Sequence, residues 1–457
     1  MRKDTFSLSK SSHTKLLTYS LMLLSFILYI SISYWTKREQ FNLLWGQYLV
    51  LFACYLWFIK KQFSIKTVLA LGVISRILLL FSTPNLSDDF YRFLWDGELL
   101  TKGIDPFLKL PSEYIQDGSY IELGLEKYLF DKMNSPNYYT IYPPVLQASF
   151  YLSALVSKLG SYAYGIFLMK LLILCTEIGS FYFILKLLKL WKKDLAYLAI
   201  YALNPLVIIE LVGNIHFEAY MICFLLASLY FLQKQKMLLS SFFMSLAIAS
   251  KLLPLMFLPF IFCKLNFRDS TLYYIRTFIF CIIWFAVFMD FDSLIHMRES
   301  VNLYFQKFEF NASIYYLIRE VGYWHKGYNI IGTAGRSLSL IPITFILITA
   351  VIKKGNVEVV SFFMLLSLLI YLLSATIIHP WYIIPMIALG LFFDMKFPIY
   401  WSLGVILSYI AYQDSSYAEN YYFIGLEYLI LLIGIWKDRL KINEIFRRSH
   451  TIHLIPF

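Results

Sequence analysis

Charge is what this chain has least of. Asp, Glu, Lys and Arg make up only 15% of its 457 residues, against roughly 25% in a soluble domain. A water-facing surface for so long a chain cannot be built from so little, so an ordinary soluble globule is excluded. Cysteine is scarce as well. Cys54, Cys175, Cys223, Cys263 and Cys281 all lie in or beside apolar runs, and no CxxC occurs. A disulfide framework and a zinc site are therefore not expected. No GxGxxG follows a strand pattern and there is no Walker loop, so the chain shows no nucleotide-binding domain. A compact basic domain with interleaved aromatics is also lacking. The formal charge of +11 thus gives no sign of a nucleic-acid partner, and none is expected.

What the chain has instead is apolar: 59% hydrophobic residues and a mean hydropathy of +0.64. Runs long enough to approach a membrane crossing, which takes about 20 residues, fall at 16–35, 42–59, 67–82, 162–185, 195–212, 216–232, 272–290, 337–352, 357–375, 381–394, 398–412 and 421–436. The run 238–263 is broken by Lys251 and Pro254 and is expected to turn near the proline. The run 143–159 opens on Pro143-Pro144 and is ambiguous. Arg2, Lys3, Lys10 and Lys15 precede the first run, which no small-residue cleavage site follows; it reads as a retained span.

The expected fold is all-α: a polytopic integral membrane protein with about 13 transmembrane helices, forming a single transmembrane domain over 1–457. Basic residues support one orientation. With the N-terminus in the cytoplasm, Lys60, Lys61, Lys186, Lys189, Lys192, Lys193, Lys353, Lys354 and the basic tail 437–448 all fall inside, leaving Lys37 and Arg38 in a short outer loop. Two long outer segments remain, 83–142 and 291–336. The first carries ten acidic residues, and the second is rich in aromatics. Loops of this length are usually functional.

The most informative stretch is Ser87-Asp88-Asp89-Phe90-Tyr91-Arg92-Phe93-Leu94-Trp95-Asp96-Gly97. Ser87 suits an N-cap and the two aspartates suit a first helical turn. Phe90, Phe93, Leu94 and Gly97 share one face; Asp89, Arg92 and Asp96 share the other. The pattern predicts an amphipathic interfacial helix ending at Gly103 and presenting two adjacent carboxylates at headgroup level. The plainer alternative is that the aspartates only cap the helix. Asp88 and Asp89 are the candidate catalytic pair, and the candidate ligands should a divalent cation be required. No cofactor is specified by the sequence.

These motifs have an ordered resemblance. Asp88-Asp89-x-Tyr91-Arg92-x-x-Trp95-Asp96-Gly97 followed by Gly103-x-Asp105-Pro106-Phe107 resembles the first outer loop of membrane mannosyltransferases. They belong to the GT-C superfamily of polyprenyl-phosphate-sugar-dependent glycosyltransferases. Tyr142-Pro143-Pro144, Asn204-Pro205, Asn214-x-His216-x-Glu218, Ser250-Lys251-Leu252-Leu253-Pro254, Phe310-Asn311-Ala312-Ser313 and His379-x-Trp381-Tyr382 continue it in order, over residues 75–390. One departure is that the acidic loop follows the third span, where many members place it after the first.

The resemblance implies inverting transfer of a sugar, mannose being expected, from a polyprenyl-phosphate-linked donor. The acceptor would be a lipid-linked or surface glycan, or a glycolipid. The site would face outward from a bacterial inner (plasma) membrane, in contact with membrane lipid. One aspartate would take the acceptor proton, and cations would meet the leaving phosphate. Asp89 has Arg92 as a prospective partner in sequence and Asp88 has none, so Asp88 is the expected base. Lys251 is either a phosphate contact or a lysine reaching to the interface. Arg76, inside the third span, is either a substrate contact or one half of an ion pair with an outer-loop acid. His216 and Glu218 form either a hydrogen-bonded turn or a substrate contact. His379 and Tyr382 are either interfacial anchors or contacts to sugar or phosphate. Arg92 and Asp96 complete the substrate-binding candidates. Two other classes stay open: a transporter, and a non-catalytic flippase-like component of a polysaccharide pathway.

Overall fold

The structure, a computed structural model, describes residues 4–414, 416–448 and 450–451; Arg2 and Lys3 lie outside them. Its long helices are α1 (Asp4–Tyr34), α2 (Phe41–Lys61), α3 (Ile65–Ile77), α4 (Asp89–Thr101), α5 (Pro144–Ser157), α6 (Tyr162–Leu190), α7 (Glu218–Gln233), α8 (Met237–Ser250), α9 (Phe267–Phe288), α10 (Phe291–Gln306), α11 (Ile314–Lys326), α12 (Ile331–Ile352), α13 (Val357–Ser374) and α14 (Tyr421–Arg448). Extended structure among the described residues is confined to a two-residue pairing of Lys353–Lys354 with His450–Thr451 and a parallel bridge between Phe310 and Ile377.

Among the described residues, six helices are long and apolar enough to cross a membrane: α1 from Thr14, α2, α6, α9, α12 and α13. A bent pair, Leu195–Ala202 with Pro205–Gly213, makes a seventh if its 53° bend lies within one span. The run 421–436 lies in the 28-residue α14; most of the remaining apolar runs form helices of 10–17 residues, short of the ~20 a full crossing takes. Proline is the local reason. Pro254, Pro380 and Pro398 each stand in the first positions of a helical segment, where a missing N–H costs nothing. The break expected near Pro254 is present: α8 stops at Ser250 and a 3-10 segment, Leu253–Phe260, follows.

The core is one large apolar cluster with two small satellites, one around Tyr315, Tyr316, Ala334 and Leu338 and one around Phe107, Met289 and Met297. α7 is buried along most of its length and α13 nearly so; helices apolar all round belong in such interiors. α9 does the opposite, exposing Phe278, Ile282, Ile283 and Val287. A belt of this kind fits lipid and would be a liability in water.

α4 departs from the sequence expectation. It is not a surface helix: Phe90, Arg92, Phe93, Leu94, Trp95, Asp96, Gly97 and Leu99 are all buried. It lies along α5 so closely that a Cβ on Gly97 would overlap the Phe150 carbonyl. The polar face is buried because its charges satisfy each other. Arg92 Nε donates to Asp96 Oδ1 at 2.7 Å, and Gln147 of α5 donates to the other Asp96 oxygen at 3.3 Å. The helix does end as expected, at Lys102, with Gly103 in the left-handed region at φ +72°.

Candidate functional site

The segment leading to the two aspartates is pinned from several sides. Lys170, buried in α6, donates to the Leu79 carbonyl at 3.0 Å and Ser82 Oγ at 2.7 Å. Tyr34 and Asn85 tie the same stretch to the end of α1. The N-cap falls one residue later than expected, at Asp88, and α4 begins at Asp89. Both carboxylates are half-buried.

Their partners differ from those the sequence suggested. Asp88 is ion-paired with Arg38, from the loop between α1 and α2. Burial still holds its carboxyl above the usual range, with Arg38 pulling the other way. Asp89 does not meet Arg92. Its Oδ1 accepts from Asn134 at 2.7 Å, and its Oδ2 lies 3.9 Å from His216 Nε2. The ground for preferring Asp88 as base, that it lacked a cation, is thereby removed: adjacent helical residues diverge by about 100°, and the divergence hands the arginine to Asp88.

His216 reaches Asp89 through a strained turn. Asn204 caps the Pro205 helix, accepting from Leu206 N at 3.0 Å. The chain then winds through a π-helical turn, Ile208–Gly213. Ile215 follows with φ +61°, a conformation that costs a β-branched residue on the order of 1–3 kcal/mol. His216 Nδ1 sits 2.9 Å from the Glu210 carbonyl and 3.2 Å from Glu210 Oε2. Two oxygens at Nδ1 place the proton there. Nε2 is then left as a buried atom with no hydrogen-bond partner, directed toward Asp89.

The remaining candidates close around this pair. Glu218, the first residue of α7, is ion-paired with Lys251, which emerges where α8 ends. The Lys251 ammonium also lies 4.8 Å from the centre of the Tyr382 ring. Trp381 stacks on His216 at 3.6 Å and on His379 at 4.5 Å. His379 in turn stacks on Phe310 at 4.9 Å. Burial, with His216 and Lys251 beside it, pushes the His379 imidazole down to about 3, so it is neutral, and its Nδ1 is buried without a partner.

The contacts form an unbroken circuit. From His379 it passes through Phe310 to Tyr412 at 5.8 Å, and from Tyr412 to Arg38 at 5.1 Å. Arg38 returns it to Asp88. Three carboxylates, two cations, two imidazoles and several aromatic faces thus surround one region, drawn from positions between 38 and 412. Such a set can take a proton, hold an anion and present flat apolar faces to a ring.

Three sequence candidates sit elsewhere. Arg92 and Asp96 act beneath the site: Arg92 Nη1 donates to the carbonyls of Ser135 and Tyr138 at 3.0 and 2.8 Å, fixing the chain beside Asn134. Arg76 is fully buried and ion-paired, but with Glu177 of α6 rather than an acid in the long loop. It also donates to the carbonyls of Gly72 and Ala202, while Tyr201 holds the other Glu177 oxygen at 2.8 Å. Sequence reading missed Arg38, Asn134, Glu210 and Tyr412. Arg38 was visible only as a topological charge, and the other three carried no local signal.

Residues 7–266 match a protein family described as alpha-(1→6)-mannopyranosyltransferase, N-terminal domain. No curated protein matches the chain.

Proposed function

Because this chain belongs to the alpha-(1→6)-mannopyranosyltransferase family, and is accordingly a membrane glycosyltransferase, we propose that it transfers mannose from a polyprenyl-phosphate-linked donor to a hydroxyl of a glycan or glycolipid, with inversion. The membrane orientation is that of the basic loops: multi-pass, termini in the cytoplasm, and 83–142 and 291–336 outside. The host membrane is a bacterial plasma membrane, and the reaction takes place on its outer face. The observation that carries the reading is Asp89. Its free carboxylate oxygen faces an unpartnered imidazole nitrogen, inside a circuit of aromatic rings and beside a lysine.

Asp89 is the general base. The acceptor hydroxyl enters between Asp89 Oδ2 and His216 Nε2, and its proton passes to the carboxylate as its oxygen attacks the anomeric carbon. The bond from that carbon to the phosphate oxygen breaks, and its electron pair leaves with the polyprenyl phosphate. Lys251 stabilises the charge that develops there. Glu218 holds Lys251 until the phosphate arrives. Asp88, fixed by Arg38, orders the helix N-terminus and the sugar hydroxyls. Trp381 and His379 offer the faces against which the pyranose ring rests. Asp88 and Asp89 remain the residues that would hold a divalent ion, but each already has a side-chain partner, Arg38 and Asn134 respectively.

The test is mass spectrometry of lipid-linked glycans from a strain lacking the protein. An accumulated acceptor one hexose short, restored by the wild-type chain, supports the reading. An unchanged glycan profile contradicts it.

A further inference from the structure

Helix α11 has an exposed face that the reaction does not use. Over Ile314–Lys326, Ile314, Leu317, Val321 and Trp324 are exposed, the last by 83%, and Tyr323 is exposed at their flank. Their spacing of three and four residues makes a single stripe. Tyr315, Tyr316, Arg319 and Gly322 are buried on the opposite side. So α11 packs against the protein by two tyrosines of a small apolar cluster, with Arg319 and Gly322 beside them, and still turns an aliphatic and tryptophan stripe outward.

The inward face cannot roll over to hide the stripe. Arg319 is ion-paired with Glu309 at 2.7 Å and donates to the Tyr421 hydroxyl at 2.8 Å, both outside the helix. Tyr315 donates to Glu309 at 2.7 Å, and Tyr316 to Glu419. Gly322 leaves room for Ile330, whose Cγ1 would lie 2.6 Å from a Cβ placed there.

The position of the helix along the membrane normal is bounded. Gly327, at φ +75°, terminates α11, and the span α12 starts at Ile331. Four residues reach at most about 14 Å. The end of α11 therefore lies close to the hydrocarbon boundary, within the headgroup zone that separates a core ~30 Å thick from a bilayer of 40–45 Å. It is also on the side that carries the aspartates, because Glu309, Phe310 and Asn311 run directly from α11's partners to His379.

We infer that α11 is an interfacial helix whose Leu317–Val321–Trp324 stripe is buried among phospholipid acyl chains at the headgroup boundary. Lipid is favoured over a protein partner because the stripe leads directly into α12, which exposes Leu340, Leu347 and Val351 along its length. Tyr323, Trp324 and Tyr328 are the aromatic types that collect at this depth, and Lys326 supplies a headgroup contact. The inference rests on the membrane reading alone and is independent of the proposed reaction.

The test places a benzophenone-bearing phenylalanine analogue at position 324, or at 317, in the full chain reconstituted into nanodiscs of palmitoyl-oleoyl phosphatidylglycerol and phosphatidylethanolamine. Position 278, on the exposed face of α9, is the positive control, and position 122, exposed in the 83–142 segment, is the water-facing control. After irradiation, intact-mass analysis is expected to show a phospholipid adduct at 324 and 317 in a yield within about twofold of position 278, and little at 122. Using two stripe positions guards against one variant failing to fold. A chain-to-chain adduct at 324 would show that a second copy covers the stripe. Solvent-quenched label without lipid adduct, with position 278 still reacting, would show that it faces water. Either result overturns the inference.

Discussion

The Trp381 ring lies 3.6 Å, centroid to centroid, over the imidazole of His216, nearly parallel to it. The same indole stacks on His379. One side chain therefore sets the plane of both imidazoles, although they are drawn from distant parts of the chain. An aromatic pair contributes about 0.5–1.5 kcal/mol beyond burial. Trp381→Ala is expected to raise the donor KM by about 2- to 10-fold, with Trp381→Phe intermediate. Steady-state kinetics check this, and unchanged KM in both variants would remove the ring from the sugar site.

Lys251 has two roles to separate. Lys251→Ala leaves Glu218 buried without its cation, which costs stability whether or not Lys251 touches substrate. The double variant Lys251→Met with Glu218→Gln removes that orphan charge. If Lys251 meets the leaving phosphate, the double variant folds at near wild-type stability and still shows a kcat lowered by roughly tenfold or more. Full turnover in the double variant would return Lys251 to a purely structural pair.

Arg38 gives a pH prediction. Burial raises the Asp88 carboxyl and Arg38 opposes that rise. Removing the arginine therefore raises it further. If ionised Asp88 is needed, activity falls as pH drops through its titration, and that fall begins at higher pH in Arg38→Gln. The acid limb of the kcat profile is expected to move to higher pH. An acid limb at the same pH would show that Asp88 need not be ionised.

Arg76 is predicted to be a stability residue. Breaking one partner of a buried pair costs about 3–5 kcal/mol, and Glu177 is fully buried. Arg76→Met is expected to lower the thermal midpoint in detergent while leaving donor KM unchanged below it. A raised KM with an unchanged midpoint would make Arg76 a substrate contact after all.

The site was legible in the chain to the extent that its residues sat in local motifs. His216 and Glu218, Lys251, and His379 with Tyr382 were each marked by polar residues at the edges of apolar runs, and the structure brings them together with Asp89. Partner choice was not legible. Arg92 stands three residues from Asp89 on the same helix, yet it bonds Asp96 because the chain at Ser135 and Tyr138 supplies carbonyls there. Arg38 reaches Asp88 only through the packing of α1 and α2. The amphipathic pattern was read in α4, where the polar face is internally paired; the exposed apolar stripe lies on α11, whose sequence looked like an aromatic loop.

The central claim is that Asp89 takes the acceptor proton. Its most direct measurement is single-turnover transfer by Asp89→Asn from polyprenyl-phosphate mannose, alongside donor affinity. General-base assistance is worth roughly 10²–10⁴ in rate. Asp89→Asn, which keeps the shape and the Asn134 neighbour, is predicted to bind donor with unchanged affinity and to react at least about 100-fold more slowly. Asp88→Asn is predicted to retain a larger share of the rate. Near wild-type transfer by Asp89→Asn, with Asp88→Asn inactive, would contradict the assignment and move the base to Asp88.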